Sequence, residues 1–166
     1  MNTRLWWLIL VIALALAACS SEPDVATPPE IVAGQDVCDA CGMIISEENH
    51  AAAYWTTGGE ARRFDDIGGM LRYWTEQDEE VASFWVHDVA SGEWLDADEA
   101  TFVLDSGVTT PMGYGIVATE DADAAMALAA GVESARVLSF GELRDAASSG
   151  SLMLMGGKGH GHGHGD

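Results

Sequence analysis

Hydrophobic and polar positions follow one pattern along this chain and then follow it again. In the first half, "HAAAYWTT" and "EARRFDD" read as strands, and Gly58-Gly59 between them is a turn signal. A helix is predicted from Asp66 onward. Ile67, Met70, Leu71 and Trp74 fall at i, i+3, i+4 and i+7, and Asp66 stands where a helix cap belongs. "ASFWVHDV" is a strongly apolar strand. The second half repeats the order: "TFVLD" and "GYGIVATE" are strands, then comes a helix with Asp121 near its cap. Ala122, Ala125, Met126 and Ala129 share one face of that helix, and Gly131 stops it. "SARVLSF" closes the second half, and a short helix over 141–147 finishes it. Strand–strand–helix–strand, twice, predicts an α+β fold of two small related ββαβ units, at about 44–90 and 94–140 within a domain spanning 36–148. Residue identity between the halves is negligible, so the repeat is one of pattern.

The ends of the chain break that pattern. Residues 1–18 carry a basic residue, Arg4, and then an unbroken apolar run from Leu5 to Ala18, which reads as a secretory signal rather than a span. Leu16-Ala17-Ala18-Cys19 looks like a bacterial lipobox, making Cys19 the lipidated first residue of the mature chain. A lipid there anchors the protein without making it span. The product is then an exported lipoprotein facing the periplasm or the cell exterior. Ser20 in place of an aspartate favours the outer membrane where two membranes are present. Residues 19–35, rich in proline, serine and acid, are expected to form a flexible tether. Residues 149–166 combine Met153 and Met155 with a glycine–histidine repeat and are expected to be a disordered tail.

Charge narrows the partners. The chain has 27 acidic side chains against 7 Lys and Arg, a formal net charge of −20, and loss of the leader removes Arg4 as well. Such a surface repels nucleic-acid phosphates and anionic headgroups, so neither is expected to bind. It fits either a solubility device or a face for a basic partner. No Ser-His-Asp set and no glycine-rich phosphate loop can be assembled, so a catalyst is not expected.

The candidate chemistry lies in "CDACGM", residues 38–43. An exported compartment favours a disulfide between Cys38 and Cys41, and a membrane-tethered thiol–disulfide oxidoreductase is one reading of the pair. The strand-to-helix setting of a thioredoxin-like motif is missing, because the pair follows the tether and precedes β-branched residues. A structural zinc site lacks a second cysteine pair. The remaining reading adds Met43. In an extended segment Cys41 and Met43 point to the same side, and a turn at Asp39-Ala40 brings Cys38 alongside. Thiolate with thioether suits Cu(I). Met112, in the loop "TTPMGYGIV", is a further thioether, although a methionine filling a gap is its ordinary role. His87 beside Trp85 is a core residue or a ligand, and His50 opens a strand near the cysteines. His160, His162 and His164 form an auxiliary metal site or an inert tail, with Met153 and Met155 as nearby thioethers.

Taken together, "CDACGMIIS", "RRFDDIGGMLRYW", "WVHD" with "GEWLDADEATFV", and "TPMGYGIVATEDADAA" resemble the NosL family over about residues 36–145. NosL proteins are lipoproteins accessory to nitrous oxide reductase. The resemblance implies a membrane-anchored Cu(I) chaperone built of two ββαβ units, a fold also seen in part of the organomercurial lyase. It also implies that Cys41 and Met43 belong to the copper-binding motif, with Met112 a further ligand. The implied partner is nitrous oxide reductase or its maturation machinery, at the catalytic copper-sulfide centre. A carrier for another exported cuproenzyme is the related alternative.

Overall fold

A computed structural model describes residues 23–105 and 107–152. Cys19, Met153, Met155, His160, His162 and His164 lie outside them. The first unit contains strands β1 (Ala52–Thr56) and β2 (Ala61–Phe64), helix α1 (Ile67–Gln77) and strand β3 (Val81–His87). A short strand β4 (Trp94–Asp96) follows, which the sequence pattern did not mark. The second unit contains β5 (Thr101–Leu104), β6 (Ile116–Thr119), α2 (Ala122–Ala129) and β7 (Arg136–Ser139), and α3 (Phe140–Ser148) ends the fold. The α+β class and the doubled ββαβ order are as expected. Two antiparallel sheets result, ordered β2-β1-β3-β4 and β6-β5-β7.

Local chemistry sets the helix ends and the faces of β5. Asp66 accepts from the backbone N–H groups of Gly68 and Gly69 and so starts α1. That helix ends at Asp78, which adopts the left-handed conformation. Ser139 and Glu142 make a reciprocal capping box at the start of α3. The alternation of β5 is used on both faces: Phe102 and Leu104 join the main core, while Val103 packs with Val117 and Ala125 beneath α2.

One continuous core joins the units. Tyr54, Phe64 and Phe84 form a ring cluster from β1, β2 and β3, with centroids 5.4 and 5.5 Å apart. Phe84 meets Phe140 of α3 at 5.0 Å, and Phe140 stacks on Phe102 of β5 at 5.7 Å. The aromatic contacts therefore run from one sheet to the other. Asp88 ties the sheets further along: its carboxylate accepts from Glu120 N–H, and Val89 N–H donates to Ala118 C=O.

Three expectations change. Residues 23–35 are not a free tether. Trp55 Nε1 donates to Thr27 C=O, Ser83 Oγ to Val25 C=O and Arg63 Nε to Glu30 C=O, and Pro29 is buried, so this stretch lies along the first unit. At the other end Leu152 is buried in the main core, so the expected tail is anchored at least that far. On α2, only Ala125 of the expected apolar face is buried, and Met126 is exposed. An alanine-rich helix has no large side chains to mark its inner face, which explains the error. Among the described residues no helix is long and apolar enough to cross a membrane.

Candidate metal centre

The "CDACGM" segment folds as a tight hairpin rather than an extended strand. Val37 pairs antiparallel with Ile44, Cys38 N–H donates to Met43 C=O at 2.8 Å, and Gly42 N–H donates to Cys38 C=O at 2.8 Å. Gly42 sits at φ +73°, a conformation most side chains avoid, so its glycine is required by the turn. The reversal also brings the two cysteines together, the part of the sequence expectation that placed Cys38 beside Cys41.

Strand β2 provides the floor. Asp39 N–H donates to Arg63 C=O, and Arg63 N–H donates back to the Asp39 carboxylate, docking the hairpin on the edge of the first sheet. Two residues further on, Asp65 receives both thiols. Cys38 Sγ donates to Oδ1 at 3.1 Å, and Cys41 Sγ lies 3.5 Å from Oδ2. One ligand atom from each of Cys38, Cys41 and Asp65 lies within 4.8 Å of the others, a grouping able to hold a metal ion. Both cysteines are free thiols. Burial pushes the Cys38 thiol up to about 12, opposed by the Asp65 backbone, so at neutral pH it keeps its proton. Cys41 is half-buried and is the more accessible of the two.

The other sequence candidates fall in different places. Met43 is 56% exposed at the rim of the hairpin, beside the exposed Val37 and Ile44. Met112 is partly buried against the main core, with its backbone N–H bonded to Asp66, the neighbour of Asp65. His87 is buried, its Nδ1 3.1 Å from Ala51 C=O and its ring against Trp94 with centroids 3.7 Å apart. Burial lowers its pKa, so it is a neutral core imidazole. His50 lies in the short helical turn Glu48–His50, its Nε2 3.8 Å from Glu47. Neither histidine contributes to the Cys-Cys-Asp group.

Asp65 is the residue the sequence reading missed. Its adjacency to Asp66 was visible, but only the docking of residue 39 on residue 63 brings its carboxylate to the thiols.

A family model for NosL matches residues 29–148. The chain belongs to the NosL family. It is 27% identical over 151 residues to the copper-binding lipoprotein NosL of Stutzerimonas stutzeri, covering 84% of this chain and 79% of that one. The fold is similar to the crystal structure of the copper chaperone NosL from Shewanella denitrificans. The TM-score is 0.62 at 19% identity, over 76% of this chain and 99% of that one.

Proposed function

We propose that this protein is an exported, lipid-anchored Cu(I) carrier that supplies copper for the catalytic copper-sulfide centre of nitrous oxide reductase. It acts as a carrier rather than a catalyst, and copper is its cargo. The observation that carries the reading is the convergence of two free thiols on Asp65 in a hairpin whose rim bears an exposed thioether. A carboxylate and two thiols alone would also suit zinc. Met43, together with Met112 from the second unit, shifts the donor set toward the softer monovalent ion.

In this reading the Cys41 thiolate is the principal ligand, with Met43 and Met112 as thioether partners. Cys38 and Asp65 hold the hairpin in register through their hydrogen bond. His87 is structural, because its ring meets Ala51 C=O and packs on Trp94, and neither His87 nor His50 joins the Cys-Cys-Asp group. Binding takes Cys41 as thiolate, so loading releases a proton and weakens as pH falls. An exposed thioether at the rim can be exchanged first for a ligand of the recipient, which lets the ion pass without ever being free. Lipid on Cys19 keeps the donor at the membrane and raises its encounter rate with a local supplier. His160, His162 and His164 serve as a looser auxiliary site.

The burial of Cys38 counts against a thiol–disulfide oxidoreductase. Reactive cysteines of that class have depressed pKa values, whereas this one is raised. The motif also sits in a hairpin and not at a helix N-terminus.

The test is anaerobic Cu(I) titration with X-ray absorption on the mature chain carrying His160→Ala, His162→Ala and His164→Ala. One tightly held ion with two or more sulfur neighbours is expected, and Cys41→Ser and Met43→Ala should each remove one. Spectra unchanged in both variants would remove the site. For the recipient, deletion of the gene should abolish nitrous oxide reductase activity. Full activity in the deletion strain would redirect the carrier to another exported cuproenzyme.

A further inference from the structure

The carboxylate of Asp66 does more than begin a helix. It is fully buried and accepts four hydrogen bonds. Oδ1 takes the N–H groups of Gly68 at 2.7 Å and Gly69 at 3.3 Å, which is the capping function. Oδ2 takes Thr110 Oγ1 at 2.5 Å and Met112 N–H at 3.1 Å, both from the loop between β5 and β6. A serine or asparagine caps a helix as well as an aspartate does. Neither offers a second oxygen that can accept two more donors, and a buried carboxylate is costly unless its acceptor sites are filled. The contrast with Asp121 is direct: that cap residue accepts from Ala124 N–H to start α2 and sits exposed.

The same loop is received by two glycines. A Cβ built on Gly69 would lie 2.5 Å from Met112 Sδ, and one on Gly68 would run into the Tyr114 ring. Neither glycine has a positive φ, and glycine inside a helix costs stability. Their absence of side chains is explained by what sits on them. Thr110 also accepts from Gly115 N–H, and Gly113 N–H donates to Thr110 C=O, so the loop is closed on itself around the residue that Asp66 grips.

We propose that the Asp66 carboxylate and the gap at Gly69 together seat the Met112 thioether, joining the second unit's ligand to the thiols that the neighbouring Asp65 holds. Asp66 and Gly69 are positioning residues: they touch Met112 and not the ion. Two adjacent residues thereby register both halves of the site, Asp65 to the hairpin and Asp66 to the loop. The inference rests on the assignment of Met112 as a ligand.

The experiment compares Met112→Leu, Gly69→Ala and Asp66→Asn in the mature chain with the tail histidines replaced, by Cu(I) affinity and X-ray absorption. Asp66→Asn keeps an oxygen for the cap but turns an amide N–H₂ toward the donors of Thr110 and Met112. Gly69→Ala leaves Asp66 untouched and favours the helix, so a loss of copper there is not a loss of fold. Each is expected to remove one sulfur neighbour and weaken binding roughly 10–100-fold, the usual effect of losing support for a metal ligand. Neither should weaken binding further once Met112→Leu is present. If Met112→Leu weakens binding while the other two retain the full sulfur count and affinity, the seat is overturned and the ligand assignment stands. If Met112→Leu itself changes nothing, the ligand assignment fails and this inference fails with it. Should Asp66→Asn not fold, Thr110→Val cuts one of the two loop donors in its place: loss of the sulfur supports the seat, and a full count overturns it.

Discussion

The two ββαβ units share an order of elements and little else. In the first, α1 buries Ile67, Gly68, Gly69, Met70 and Leu71, and β1 is buried along its length except at Trp55. In the second, α2 buries Ala125 alone and leaves Met126 and Leu128 exposed, and β7 is an edge strand with Val137 exposed. The first unit builds the core and holds the thiols. The second adds Phe102, Leu104, Ile116, Ala118 and Leu138 to that same core and presents the Met112 loop. A doubled topology is therefore not a pair of modules. What a unit contributes is set by the apolar surface it buries, and here the burial is one-sided.

The largest break in that comparison is expected at Phe84. Its ring meets Tyr54, Trp74 and Phe140, so it touches the first sheet, α1 and α3 at once. Phe84→Ala should cost about 3–5 kcal/mol in denaturant unfolding, the range for emptying a buried aromatic site. Because the core is continuous, both units should unfold in one transition. A variant in which the second unit stays folded after the first has melted would show two modules after all.

A smaller effect belongs to the Arg62–Glu79 pair, which ties β2 to the loop before β3. Arg62 donates to Glu79 from both Nε and Nη2, and Tyr54 Oη donates to the same carboxylate. The Arg62 hydrogen bonds hold the Glu79 carboxyl below its ordinary value, against some desolvation. A depressed carboxylate pKa contributes stability above the unfolded-state value, and that contribution is lost as pH falls through the folded-state value. Glu79→Gln should therefore cost about 1 kcal/mol at neutral pH, with the loss shrinking as the solution is acidified below pH ~4. Urea melts at several pH values check it. A loss that stays constant down to acid pH would mean the side chain acts by packing alone.

The same asymmetry governs what could be read from the sequence. Strands β1, β3, β5 and β6 were legible as apolar runs, and helix α1 by its i, i+3, i+4, i+7 spacing, because those patterns report burial. Strand β4 was not: three residues carry no period, and what holds them is pairing with β3 and the contact of Trp94 with His87. Residues 23–35 misled because a proline-rich stretch with little periodicity usually marks free chain. Here their carbonyls meet Trp55 and Ser83, partners 28 and 58 residues away. In the site, the cysteines and methionines were visible as donor types, and Asp66 as a cap. The role of Asp65 and the second half of Asp66's bonding come from tertiary contacts, which no local pattern encodes.

The smallest expected effect sharpens the comparison from its weaker side. Met126 on α2 is 55% exposed, so a polar replacement removes little buried surface. Methionine and glutamine have similar helix propensity, so the helix itself should not object. Met126→Gln should then change stability by no more than about 0.5 kcal/mol, the usual range for a surface site. The corresponding change at Met70 of α1, which is fully buried, places an amide in the core and should be severe. Urea unfolding of both variants measures the difference between the two helices at one residue type. A Met126→Gln penalty above about 1 kcal/mol would mean that the outer face of α2 is covered in solution, because an exposed methionine has no buried contacts to lose.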